Sequence, residues 1–147
     1  MAHETAVRVS NPPAEELRRR MFDLAVRSIV LVRALPKGIV EFRLGGQLID
    51  SGSSVPAQYR AACRAQSTRD FIAKIKKLEE EADESALWLA LLRASGLPER
   101  LVAESQALEG EFSEITAIAV ASAKTSRARL QREKDARRRA KRQRNSP

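Results

Sequence analysis

Histidine and cysteine occur once each in this chain, as His3 and Cys63, and that scarcity removes whole classes of chemistry. A histidine-based triad or a histidine-bearing metal site has no materials, because His3 lies in the short segment before any patterned stretch. One thiol excludes an intrachain disulfide. With no histidine to activate it, Cys63 reads as a structural or incidental residue in a reducing compartment. Six glycines, six prolines and 4% aromatics among 147 residues point to an all-α protein, and no window alternates Val, Ile or Thr as a strand does. The longest apolar run, Ala86 to Leu92, is far too short to span a bilayer. The opening Met-Ala-His-Glu-Thr lacks the basic-then-apolar order of a secretory signal, so a cytoplasmic location is expected. Gly45-Gly46 has neither a preceding strand nor a following Lys-Ser/Thr, which excludes a phosphate loop. No catalytic residue, metal ligand or cofactor is indicated.

What is present forms helices. The most regular stretch, from Ser67 to Gly96, contains no Gly or Pro before its end. Phe71, Ile75, Leu78, Ala82, Ser85, Leu89 and Leu92 recur at alternating steps of four and three, a heptad seam. Ser67 or Thr68 suits the N-cap, Asp70 suits the positive first turn, and Gly96 followed by Pro98 supplies the stop. The last third, Ala86 to Leu92, is apolar on every side. It must be covered by several neighbours, either helices of the same chain or other subunits.

Three further helices are expected around this one. The first runs from an Asn11 cap, with Pro12 and Pro13 in its first turn, to about Leu35. It carries one stripe of Leu17, Met21, Leu24, Ser28, Leu31 and Leu35, and a second of Phe22, Ala25, Ile29 and Val32. The next, about Val40 to Ala65, keeps heptad spacing in Leu44, Leu48, Ser51, Val55, Gln58 and Ala62 but also holds Gly45, Gly46, Gly52 and Pro56. The small residues predict close packing, and Pro56 predicts a kink or split near Ser54. The last helix opens at Pro98 and presents Leu101, Ser105, Leu108, Phe112, Ile115 and Ala119. The fold expected is an antiparallel up-and-down four-helix bundle over residues 14–123, after a loose N-terminus over 1–13.

Past Lys124 the apolar stripe ends, and the chain changes character. Residues 1–123 hold 16 Lys/Arg and 17 Asp/Glu, whereas residues 124–147 hold 11 and 2, so the net charge of +8 is all tail. The tail either extends the last helix into solvent or is disordered. Its candidate phosphate contacts are Arg127, Arg129, Arg132, Lys134 and Arg137, then Arg138, Arg139, Lys141, Arg142 and Arg144. Arginine suits phosphate because its fork donates two bonds at once. No aromatics interleave, so base stacking and sequence readout are not indicated in the tail.

Residues across the second and third helices resemble the 23S rRNA intervening-sequence protein family. The resemblance is carried, in order, by Gln47-Leu48, Ser54-Val55-Pro56-Ala57, Thr68-Arg69-Asp70-Phe71, Glu81-Ala82-Asp83-Glu84 and Trp88-Leu89, and it extends over roughly residues 15–123. Three positions depart from the family pattern: Gln58 stands for its Asn, Ala61 for a following Glu, and Leu87 for a Tyr. The resemblance implies a four-helix bundle assembled as a ring-like homopentamer, with no established enzymatic activity. It also implies association with RNA or DNA, since some members are encoded within large-subunit rRNA genes. Relatives of the family are basic accessory proteins that bind a reverse transcriptase in diversity-generating retroelements.

Two functional readings stand. In the first, a non-enzymatic homo-oligomer, a pentamer by resemblance, binds nucleic acid through its tail, as an accessory to an enzyme such as a reverse transcriptase. In the second, the bundle is a protein–protein adaptor and the tail is incidental. Phe22, Ile29, Leu87, Trp88 and Leu91 exceed what a lone bundle can bury and are the expected contacts between copies. Glu81 and Glu84 share one side of their helix, but the Glu-x-x-His repeats of di-metal bundles are absent, so ion pairing is their expected role.

Overall fold

The computed structural model describes residues 12–145. Four helices follow one another: α1 (Pro12–Arg33), α2 (Ile39–Ala62), α3 (Thr68–Ala94) and α4 (Glu99–Arg144). No strand occurs among the described residues. Each helix packs on its neighbours in sequence, and α1 closes the square against α4. Short turns force antiparallel neighbours, so α1 and α3 occupy one diagonal, α2 and α4 the other. The result is the all-α up-and-down bundle that the heptads predict. Of the segment expected to be loose, Pro12 and Pro13 instead open α1, and residues 1–11, with the Asn11 cap and His3, lie outside the described residues.

Local signals account for most helix ends. Ser67 Oγ accepts from the Asp70 amide at 3.1 Å, and Asp70 in turn accepts from the Gln66 amide at 3.1 Å. Lys74 donates to Asp70 at 2.9 Å, and this ammonium, with the Gln66 amide, holds the Asp70 carboxyl below its ordinary range. Gly96 stops α3 at φ 106°, a left-handed conformation that suits glycine. Helix α1 ends at Arg33, slightly before Leu35, and α4 starts at Glu99 with Pro98 as its N-cap.

Helix α2 corrects the expectation of a break. It runs unbroken from Ile39 to Ala62 with Pro56 inside it. Pro56 removes one amide from the ladder, but Gly45, Leu48, Ser51, Gly52, Val55 and Tyr59 are all buried on the same helix. Tertiary packing of that face outweighs one missing hydrogen bond. A Cβ at Gly45 would stand 2.9 Å from Val32 Cγ1 and 3.3 Å from Leu35 Cδ1, whereas one at Gly110 would meet nothing within 4 Å. Gly110→Ala should therefore stabilise by about 0.5–1 kcal/mol through helix propensity. Gly45→Ala should lose about 1–2 kcal/mol, because β-branched Val32 cannot swing aside. Urea denaturation at fixed protein concentration checks both; a gain at Gly45 would contradict the packing account.

The core is the heptad seam read from the sequence. Leu24, Leu48, Val55, Leu78, Leu89, Leu108, Phe112 and Ile115 are at most 1% exposed. Four serines are buried among them, and each is satisfied locally or across a helix contact. Ser28 donates to the Leu24 carbonyl and Ser105 to the Val102 carbonyl, both at 2.8 Å. The Ser85 and Ser51 hydroxyls are hydrogen-bonded at 2.8 Å across the α2–α3 contact. The seam between α1 and α4 is instead lined by ion pairs. Arg27 reaches Glu104 at 2.8 Å and Glu111 at 2.6 Å, and those two carboxylates raise its already high pKa; Arg20 pairs with Glu114.

Candidate nucleic-acid interface

The turn between α2 and α3 and the start of α1 share one end of the bundle, and α4 leaves the bundle there. Ser126 and Arg129 still line a groove with Ala62, Ala65, Thr68 and Phe71, so the departure falls just beyond them. Core burial in α4 ends at Ala123, yet the helix continues to Arg144. The tail is thus a helical rod through Arg144. From Leu130 to Arg144 it extends about 22 Å past its last neighbours.

Along the rod the basic residues face every direction, as their spacing on a 3.6-residue helix requires. Arg127, Arg129, Arg132, Arg137, Arg138, Arg139, Lys141, Arg142 and Arg144 are exposed, and Lys134 is half-buried. Only two acids accompany them. Glu133 accepts from Arg129 at 3.0 Å, and Asp135 accepts from Gln131 at 3.0 Å. Among the described residues the other cations of the rod form no ion pair. Lys141, Arg142 and Arg144 also sit at the negative end of the helix, where cations stabilise it.

Sequence reasoning missed a second feature at the same end. Residues 13–23, 52–80 and 113–123 form the half of the bundle next to the rod and hold nine Lys/Arg against seven Asp/Glu. The opposite half, 24–51 and 81–112, holds six against nine. The near-neutral body is therefore polarised, positive toward the rod. A cleft of about 440 Å³ between α1 and α2 opens on the positive end, lined by Glu15, Arg18, Arg19, Phe22, Pro56, Arg60, Cys63 and Arg64. Arg18 pairs with Glu15 at 3.0 Å, while its Nε is enclosed with no hydrogen-bond partner. Cys63 and Glu15 together raise the Arg18 pKa. Burial, reinforced by Cys63, pushes the neighbouring Tyr59 phenol up to about 12. Cys63 itself is exposed at the end of α2. The only sequence signal for this cleft was the Arg60–Arg64 spacing, which the structure places across the end of α2, Arg60 on the helix and Arg64 in the turn beyond it.

The expected contact residues divide between two places. Phe22, Val26 and Val30 are exposed along α1, and Phe42 is exposed on the adjoining α2. Ile29 is half-buried beside them. Leu87 and Leu91 are exposed on the outer side of α3, on the opposite corner of the square. Trp88 is half-buried and packs against the core, with its indole N–H enclosed and unpartnered. The second stripe of α1 is split: Ala25 is buried and Val32 packs on the core, while Phe22 faces outward. Glu81 pairs with Lys77 at 3.3 Å, the ion-pairing role expected of it. No group of three or more potential metal ligands occurs among the described residues. No described helix is long and apolar enough to cross a membrane.

Four antiparallel helices around a heptad core, with a basic helical extension, define the class: a helical-bundle protein. The chain belongs to the 23S rRNA-intervening sequence protein family, whose family model matches residues 15–121. It is also similar to a crystal structure from Bacteroides thetaiotaomicron, described as a protein of unknown function from the S23 ribosomal protein family. Identity is 28%, the TM-score is 0.66, and the match covers 76% of this chain and 97% of that one. No curated protein matches the chain. The family match stops short of residue 124, so the basic rod lies outside it.

Proposed function

We propose that this protein is a non-enzymatic, self-associating scaffold that holds nucleic acid by its phosphates along the α4 rod. The observation that carries the reading is the rod itself: eleven Lys/Arg against two Asp/Glu beyond residue 123, on a helix that buries nothing there. A solvent-bridging helix without a charge function would balance its signs. Counterion release rewards an unbalanced one in contact with a polyanion.

Self-association is supported by the two apolar patches. An isologous dimer needs one patch that meets itself, whereas a closed ring needs two different patches that face away from each other. Val26 and Val30 on α1 and Leu87 and Leu91 on α3 occupy opposite corners and suit the second geometry. Five copies is the number that the resemblance implies. Rods repeated around a ring would bind one long nucleic acid multivalently.

Removing residues 130–147 tests the reading. The cut spares Ser126 and Arg129, which line the groove beside α2 and α3. The shortened chain should keep the mass of the full-length assembly and its urea midpoint. Its affinity for nucleic acid should fall by about a hundredfold or more near 0.1 M salt. Equal affinity of the two chains would defeat the reading.

A further inference from the structure

We infer that the cleft between α1 and α2 at the rod end holds one unpaired nucleotide of a single strand whose phosphates lie along α4. This rests on the nucleic-acid reading above and adds to it a preference for single strands. Three observations meet in the cleft. It opens on the positive half of the bundle, the half from which the rod departs, with Glu15 the one acid in its lining. Arg19, Arg60 and Arg64 line it and form no ion pair among the described residues, and the enclosed Arg18 Nε has no acceptor. Phe22, also in the lining, is 62% exposed, with Pro56 opposite it.

Those groups match the two parts of a nucleotide. A phosphate accepts forked bonds from guanidinium groups, and Arg60 at the end of α2 and Arg64 in the turn just beyond it both line the cleft to supply them. A base stacks on an exposed aromatic ring whatever its identity, because every base has a π-face. The volume, about 440 Å³, falls within the roughly 300–1,000 Å³ of small-ligand clefts and cannot admit a duplex. A second copy of the chain seated over the cleft would instead bury unpaired guanidinium groups, which is costly. The apolar surface that suits a copy lies farther along α1, at Val26 and Val30, and at Phe42.

The test uses the full chain and a fluorescein-labelled oligodeoxyadenylate of about 20 nucleotides, free or annealed to its complement, followed by anisotropy. Phe22→Leu keeps an apolar side chain and removes the flat ring. Affinity for the single strand should fall about tenfold, the loss of one stacked base, while affinity for the duplex stays within about twofold. Arg60→Gln with Arg64→Gln should likewise weaken the single strand more than the duplex. Equal changes on both probes, or none, would overturn the inference while leaving the rod reading intact. If Phe22→Leu dissociates the assembly, Phe22 is a contact between copies and the inference is also overturned. If the unaltered chain binds neither probe, both readings fall together.

Discussion

Replacing Phe112 with alanine is expected to cost about 3–5 kcal/mol, enough to unfold most small bundles. Phe112 is 0% exposed and stands on α4, diagonally across the square from α2. Its ring tip lies 3.6 Å from where a Cβ would be at Gly52, and the Ser28 side chain flanks the same point at 3.5 Å. One large ring thus fills a layer that α1 and α2 leave open by presenting Ser28, Ser51 and Gly52. At the ring tip the nearest side chain is Ser28, too short to move in. The cavity should therefore persist, and the loss should lie toward the upper end of the range. Phe112→Leu should lose about half as much. Thermal and urea denaturation at matched protein concentration measure both, because assembly makes the midpoint concentration-dependent. A loss under about 1 kcal/mol would mean that the layer collapses and that the ring is not its keystone.

The second large effect is the salt dependence of binding. Eight cations lie beyond Leu130, facing all sides, so one duplex can meet roughly half of them while a flexible strand can wrap more. With about four phosphates neutralised on a duplex and up to about eight on a single strand, log affinity should fall against log salt with a slope of about −4 on duplex DNA and about −6 on the single strand. Between roughly 50 and 200 mM salt this amounts to a loss of about 10²–10⁴ in affinity. Preference among duplex sequences should be slight, since the rod carries no Asn or Gln paired to read base edges except Gln131 and Gln143. A slope near zero would place binding outside the phosphate contacts and remove the basis of the proposal.

How far the sequence could be read depended on what carried each feature. Phe71 to Leu92 on α3 and Leu101 to Ala119 on α4 repeat at heptad spacing, and the structure buries most of those positions. Ser67 and Gly96 mark ends by local hydrogen bonding and backbone freedom, which neighbours in sequence determine. That Pro56 does not split α2 was hidden for the opposite reason: its local cost is plain, but the packing that outweighs it comes from Ser28, Val32 and Phe112 on other helices. The tail's charge was fully legible, whereas its helicity was not, because Lys124 to Arg144 has no apolar face and weak local signals. The α1–α2 cleft was illegible altogether. Arg18 and Arg64 are far apart in sequence, and only the antiparallel topology brings them together at one end.

The unbroken passage of α4 from core to solvent also changes what its like charges do. Lys134 and Arg138, Arg137 and Lys141, and Arg138 and Arg142 are each one turn apart, and such pairs repel. A free peptide of this composition would also bear the cost of nucleation, and repulsion would keep it a coil. Here the buried first half of the helix serves as the nucleus, so each added residue need only propagate the turn before it. The rod is therefore held helical while under internal electrostatic pressure. A polyanion laid along it would relieve that pressure, so helix and strand would stabilise each other without either having to fold for the encounter.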